Sequence, residues 1–488
     1  MAGRLAEMQF EILSHACLFV KSKTHSVIID PWLIGSCYWR SWWNFPSPQF
    51  DADEIRAVDA VVISHVHWDH WHGATLKKFF KGKRFIVPDE PSRRSQKDLL
   101  LAGFDNLEAV RHGATLEIGD IKVTLYQFGL FLNDAVVIIE CEGITILDAN
   151  DAKMAGWSLE YVVRKHGPID FALRSHSSAN PRINFNVIGE NSPYVADDRE
   201  HYFRSFKLFM DAVAPRYAIP FASNHCHLHD DVFAMNSYIS NPLQLRDYVT
   251  QIKNRPTWSL QVMLPGSSWD KESGFKLSEE SAFNDIEAEL NAYRRRIAPT
   301  LEQNRELEQN AKVPKRTFTR FIEQLSSRPI KWRDASFNLT LTRPDGQINS
   351  YMVNPAKGEV VEMSPTIEPN DGKPVMIMPA IIFRDAVWKN MFHHAGISKR
   401  CRFLASNDRD LNRLKLVFSH LEAVELGVLP LSRAYLWRFF RAYAARWREI
   451  FVYIAAAWHA RTTGKPMYLV EEIILTNTRA PLYPENHR

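Results

Sequence analysis

One run of residues constrains this chain more than any other: Val61-Val-Ile-Ser-His-Val-His-Trp-Asp-His-Trp-His-Gly73. Its first four residues are apolar or small and predict a buried strand. That strand runs straight into His65, His67, Asp69, His70 and His72. Packing gives no reason for imidazoles and a carboxylate at the end of a buried strand, because desolvating such groups without a partner costs several kcal/mol. A metal cation is the natural partner, since imidazole with carboxylate suits Zn, Fe or Mn. His65 and His67 project to the same side of an extended segment, and Asp69 and His70 follow where the chain turns into a helix. One pair can grip one ion and the other a second ion beside it. The bland alternative is a solvated, His-rich loop. Five ligand-type side chains in eight positions argue against it.

The chain has 488 residues, too many for one small core, and its length predicts two or three domains. A hydrophobic fraction of 45% and a charged fraction of 24% are ordinary for globular proteins. The net charge of +4 is nearly balanced and no basic stripe is interleaved with aromatics, so no nucleic-acid partner is expected. Cys17, Cys37, Cys141, Cys226 and Cys401 are scattered, odd in number and without a C-x-x-C pair. That argues against a disulfide framework, a zinc finger or an iron–sulfur site. The N-terminus lacks a secretory pattern. The longest late apolar run, Ile450 to Trp458, is less than half of the ~20 residues a membrane span requires. A cytoplasmic protein without a membrane span is expected.

Taken in order, Phe10–Leu18 and His25–Ile29 read as strands, with His15 inside the first as a structural residue. Trp39, Trp42 and Trp43 follow in a loop-like stretch that is either the lid of a small-molecule pocket or plain packing. Ala74–Phe80 predicts a short helix. Short strands follow at Arg84–Val87, Leu116–Ile118, Ile121–Gln127, Ala135–Glu140 and Ile144–Leu147, the last leading to Asp148-Ala-Asn-Asp151. Two further apolar strands, Phe171–Leu173 and Tyr217–Ala222, lead into His176 and into the cluster His225, His227 and His229. Four strands thus end in ligand-type residues, which is how an α/β scaffold delivers side chains to one rim. Residues 278–325 predict a charged helical connector with solvated faces. Beyond it a period of two gives strands Phe337–Thr342, Ile348–Val353 and Val360–Met363, and a helix follows over Ile381–Phe392. Leu436–His459 predicts a helix that buries its aromatic face while its arginines snorkel to solvent. The competing reading is an amphipathic helix for a membrane surface or a partner.

With these residues in view, positions up to about 265 resemble the metallo-β-lactamase superfamily, whose H-x-H-x-D-H run is matched by His65-Val-His67-Trp-Asp69-His70. Within it, Asp30-Pro-Trp-Leu-Ile-Gly35, Trp42-Trp43, Ile146 to Asp151 and Leu264-Pro-Gly266 resemble the metallo-β-lactamase portion of CMP-N-acetylneuraminate hydroxylases. Diiron oxygenases of metallo-β-lactamase type are the related class. The resemblance implies an α/β fold, an αββα sandwich over 1–270. The charged connector then spans 271–330, and a C-terminal α+β domain of a short sheet plus helices spans 331–488. It implies metal ligation by His65, His67, Asp69, His70 and Asp151, with Asp151 as the bridging aspartate. It also implies a final histidine at His229, with His225 and His227 as rivals. The superfamily's strand histidine before the bridging aspartate has no counterpart near Leu130, and His176 is the candidate substitute. The Rieske domain of those hydroxylases has no ligands here, so an oxygenase of this kind needs an external electron donor.

Two reaction classes suit the constellation. Two irons with O₂ as co-substrate give hydroxylation or N-oxygenation of a small organic substrate, free or carrier-bound. Two zinc ions give hydrolysis of an ester, amide or phosphodiester by an activated water. Iron is preferred, because the resemblance points to oxygenases, the zinc shell lacks a histidine, and Trp42, Trp43, Trp68 and Trp71 suit a dry substrate pocket. Asp69 and Asp151 are the catalytic carboxylates in either case. A metal-stabilised binding module is the non-enzymatic alternative.

Overall fold

Ala60 and Val62, in the strand Ala60–Val62, point into one apolar core, while Val61 and Ile63 point into another. A strand buried on both faces reads as an unbroken apolar run rather than an alternating one. The computed structural model describes residues 8–129, 134–177, 179, 184–188, 198–326, 336–370, 372–429, 436–463, 474–476 and 478. In it, this strand belongs to an eight-stranded sheet. The order is Gly274–Lys276, Ser267–Asp270, Gln9–Ile12, Leu18–Lys21, Ser26–Ile29, Ala60–Val62, Arg84–Pro88 and Leu107–Val110. A seven-stranded sheet faces it, ordered Ser259–Leu260, Tyr217–Phe221, Phe171–Ser175, Ile144–Asn150, Asp134–Cys141, Ile121–Phe128 and Thr115–Ile118. Phe10, Val27 and Val62 of the first meet Val123, Ile146 and Ile219 of the second in the inner core. Helices Gly73–Phe79 and Arg94–Leu101 cover the outer face of the larger sheet. Helices Gly156–His166, Asp198–Val213 and Pro242–Thr250 cover the other. The expected αββα sandwich is present.

The strand expected over Phe10–Leu18 is corrected. Gln9–Ile12 and Leu18–Lys21 are separate antiparallel strands with Ile12 opposite Leu18. Residues 13–17 form the turn, closed where Leu13 N donates to Cys17 O at 2.9 Å. His15 therefore stands at the tip of a turn, free of the alternation that would bury it in the sandwich.

Ser26–Ile29, Ala60–Val62 and Arg84–Pro88 run parallel, as do Ile144–Asn150, Phe171–Ser175 and Tyr217–Phe221. Their carboxyl ends share one rim. Three of these strands are left through non-glycine residues with positive φ: Asp30 at 47°, Asn150 at 36° and Ala222 at 46°. Such conformations persist only where surrounding contacts over-determine them.

The C-terminal sheet has six strands rather than three, ordered Phe185–Val187, Arg402–Ala405, Val375–Pro379, Phe337–Thr342, Ile348–Asn354 and Glu359–Met363. Its first strand comes from the earlier half of the chain. The connector is helical as expected, over Ile286–Arg296, Ala298–Gln309 and Lys315–Ser326, but it is not merely solvated. Leu290 packs with Trp43 and Phe45, and Phe321 and Leu325 enter the C-terminal core. Glu308 is buried and accepts from Arg400 at 2.6 and 2.7 Å.

The helix expected over Leu436–His459 is two, Trp437–Ala445 and Trp447–Thr463, and apart from Phe439 most of its large aromatics are not buried. Trp437 is 71% exposed and Trp458 67%. The small residues face inward because the partner helix approaches at Gly156, where a Cβ would meet Val452 at 3.1 Å. Bulky side chains do not fit that approach and turn out. Among the described residues, no helix is long and apolar enough to cross a membrane.

Candidate metal centre

The centre is built on Asp30. Its carboxylate accepts from Ser64 N at 2.7 Å and from Ser64 Oγ at 2.5 Å, and it lies 2.8 Å from His70 Nδ1. With the Ser64 hydroxyl proton committed to Asp30, His65 Nδ1, at 2.8 Å, donates to Ser64 Oγ. His65 Nε2 then carries a lone pair and accepts from His67 Nδ1, also at 2.8 Å. Hydrogens assigned from these partners leave a lone pair on Nε2 of His65 and of His67, the form a metal requires. His67 Nε2 is buried without a hydrogen-bond partner.

Two groups of donors that share no residue form around these nitrogens. His65, His67 and Asp134 bring one ligand atom each within 4.8 Å of one another, and so do His15, Asp69 and His70; Asp30, His65 and His70 form a third group that overlaps both. Asp69 is fixed from two sides: Tyr38 Oη donates to its Oδ1 at 2.5 Å, and His15 Nε2 lies 3.2 Å from Oδ2. Asp151 stands 3.3 Å from His70 Nε2. The electrostatics match. Burial holds the His65 and His67 imidazoles well below the usual histidine range, so both are neutral. Burial would lower His70 as well, but the carboxylates of Asp69 and Asp30 hold it well above that range. Asp134 is pushed up to about 7 by burial and by the charge of Asp151. Clustered carboxylates that retain a proton are the setting in which a cation takes the proton's place.

The structure therefore brings His65, His67, Asp69, His70 and Asp151 together. His176 is fully buried and neither ring nitrogen has a hydrogen-bond partner. Among the described residues it joins neither donor group. Leu130, where the strand histidine is missing, lies outside the described residues, and Asp134 lies beside His65 and His67 instead. His229 is engaged elsewhere. Its Nδ1 accepts from Asp231 N at 3.2 Å, and its Nε2 faces Glu308 at 3.6 Å. His72 is likewise a helix cap, accepting from Thr75 N. Of the rivals to His229, His225 and His227 lie on the strand His225–His227, paired with Trp42–Asn44. Each has Nδ1 near a backbone carbonyl and Nε2 buried without a hydrogen bond. His225 is the nearer to the centre, with its ring 5.5 Å from that of His15.

These orphaned imidazole nitrogens, with Asp69, Asp134 and Asp151 around them, fit two cations with mixed nitrogen and oxygen ligands.

The sequence reading misses four residues here. The sequence pattern puts His15 inside a strand, and only the turn frees it. Asp134 opens an apolar strand, the mirror image of the strand-end rule that found the others. His393 and His394 come from the C-terminal half, on the helix Phe392–Ile397. The His393 ring stacks on His67, and His394 Nε2 lies 3.2 Å from Val66 O. Nothing local in the sequence connects either to the centre.

The pocket expectation divides. Trp68 and Trp71 line a cavity of about 830 Å³ between the two halves, together with His72, Arg94, Lys97 and Glu425. Trp42 and Trp43 are packed instead. Trp42 stacks on His225 at 3.7 Å and donates to Ile397 O, and Trp43 donates to Arg40 O. Both indoles sit in the small sheet with Ser36–Cys37, where burial leaves them no open face.

Residues 9–128 match the model of the beta-lactamase superfamily domain. A protein of Mycolicibacterium smegmatis named as a Rieske 2Fe-2S iron-sulfur protein is 23% identical over 318 residues, which is 60% of this chain and 61% of that protein. The cytidine monophosphate-N-acetylneuraminic acid hydroxylase of Pan troglodytes is 24% identical over 285 residues, 54% of this chain and 46% of the hydroxylase. The chain thus spans only about half the length of such relatives. Among solved structures, the diiron beta-hydroxylase CmlA of Streptomyces venezuelae aligns over 44% of this chain and 45% of its own, with TM-score 0.34 and 20% identity. The metallo hydrolase Igni18 of Ignicoccus hospitalis aligns over 54% and 97%, with TM-score 0.36 and 18% identity.

Proposed function

Because residues 9–128 match the beta-lactamase superfamily domain, we propose that the protein is a dinuclear-metal enzyme, a nonheme diiron oxygenase acting on a small organic substrate. The observation that carries the reading is the donor set. Asp134 beside His65 and His67 gives one ion a carboxylate, and Asp69 with His15 and His70 gives the other a second. Asp151, near His70 Nε2, gives the pair a third. Two imidazoles with one carboxylate around an ion is a ligand set that suits non-heme iron. Similarity to proteins named as hydroxylases supports the same side.

The pair of irons supplies O₂ activation when bound. The reaction consumes substrate C–H or N–H, O₂, two electrons from an external donor and two protons, and yields the hydroxylated product and water. The chain's own part is positional. Asp30 sets the tautomers of His65 and His70. Tyr38 and His15 hold Asp69 in place, and Asp69 and Asp151 are the catalytic carboxylates beside the imidazoles. The cover formed by His393 and His394 keeps bulk water away from His67, and Trp68 and Trp71 offer an apolar wall to the substrate.

Elemental analysis of protein expressed in iron-replete medium without added zinc tests this. Close to two irons per chain, with O₂ consumed in the presence of a chemical reductant, is the expected result. Stoichiometric zinc and no iron-supported O₂ uptake would sink it in favour of a hydrolase.

A further inference from the structure

The helix Trp447–Thr463 wears its large side chains on the outside. Val452 and Ala456 face the protein. Trp447, Ile450, Phe451, Ile454 and Trp458 are 44%, 46%, 48%, 58% and 67% exposed, and their spacing puts them on one stripe. Trp157, 53% exposed, extends the patch sideways, with its ring 5.4 Å from Phe451. On the preceding helix Trp437 and the 62% exposed Phe440 stack on each other in the open. Scattered single exposed apolar residues need no explanation, but a continuous aromatic stripe does.

Most of the charge around the stripe is positive, although Arg441 pairs with Asp89 at 3.1 Å. Residues 436–463 contain Arg438, Arg441, Arg446, Arg448 and Arg461 against a single acid, Glu449. That acid is buried and paired with Arg446 at 2.6 Å, so it does not reach the surface. Arg448 lies over the rings of Tyr161 and Trp447, at the border of the patch. A second copy of this chain would oppose arginines to arginines. Tryptophan and phenylalanine amid an excess of arginines match the boundary between acyl chains and anionic headgroups.

We propose that this surface docks peripherally on anionic lipid bilayers, with the stripe in the headgroup region and the helix parallel to the membrane. The same helices reach toward the metal centre. Glu449 Oε1 accepts from Gly129 N and Arg446 donates to Gly129 O, each at 2.7 Å, five residues before Asp134. Docking there leaves the centre close to the bilayer.

Sedimentation of the full chain with vesicles tests the proposal. The chain should pellet with phosphatidylcholine mixed with phosphatidylglycerol, and about tenfold less with phosphatidylcholine alone or at high salt. Phe451→Ala with Trp458→Ala should weaken binding to the mixed vesicles about tenfold or more, with an unchanged circular dichroism spectrum. Arg448→Gln with Arg461→Gln should bring binding to the mixed vesicles down to the level seen with phosphatidylcholine alone. Wild-type chain that stays in the supernatant with both vesicle types overturns the proposal. So does a concentration-dependent dimer that Phe451→Ala with Trp458→Ala turns into monomer, since the occupant is then a second copy. Neither readout depends on which metal the centre holds.

Discussion

The His393 ring lies 5.0 Å from that of His67 and nearly parallel to it, at 18°. His67 belongs to the motif at a strand end and His393 to a helix of the C-terminal half. Glu422 accepts from His393 Nδ1 at 2.8 Å, and Glu425 accepts from His393 N and, across 2.5 Å, from His394 Nδ1. The C-terminal half is thereby fastened over the centre. His393→Ala should leave metal content unchanged but speed metal loss to a chelator about tenfold, as expected when a group outside the ligand shell is removed. Slower or equal release would show that His393 covers nothing.

Asp134 is the carboxylate that stands beside His65 and His67. Asp134→Ala should cost the protein one of its metal ions, whereas Asp134→His, which restores an imidazole, should keep both and shift preference toward zinc. Elemental analysis of the two variants, grown in the same medium, measures this. Two retained metals in Asp134→Ala would remove Asp134 from the ligand set.

Hydrogen bonding separates His225 from His229. His225→Ala should lower metal occupancy, while His229→Ala should leave it intact, because His229 spends its lone pair on Asp231 N. Occupancy by titration with Co²⁺, followed in the visible spectrum, tells them apart. The reverse order would restore the sequence-based preference for His229.

Asp30 shares a donor group with His65 and His70, and it also orients His70 and, through Ser64, His65. Asp30→Asn should weaken metal binding by about 10–100-fold, the usual cost of losing such a partner. A competition assay against a chelator reads the change.

Glu308 is held down to about 2. Burial opposes this, but Arg400 and His229 outweigh it. A carboxylate whose folded pKa is depressed stabilises the fold above its ordinary value of 4.5, and that contribution is lost as pH falls toward the folded value. The difference corresponds to about 3 kcal/mol. Urea unfolding of the wild type should therefore weaken between about pH 4.5 and 2. Glu308→Gln should lose about 3 kcal/mol at neutral pH and this part of the acid dependence with it.

The sequence by itself determined the sandwich and most of the rim. Apolar runs such as Ala60–Ile63 are buried on both faces wherever they fold, and each delivers its next polar residue to the same end. His65, His67, Asp69, His70 and Asp151 follow from that rule and from local spacing alone. Only the tertiary structure decided the rest, because it depends on contacts between residues far apart in the chain. A turn closed by Leu13 and Cys17 brings His15 to Asp69. The start of a neighbouring strand sets Asp134 beside His65 and His67, and a helix more than three hundred residues later lays His393 on His67. The outward aromatic stripe is of the same kind. Helical periodicity says that Trp447–Thr463 has two faces, and the close approach at Gly156 decides which of them is buried.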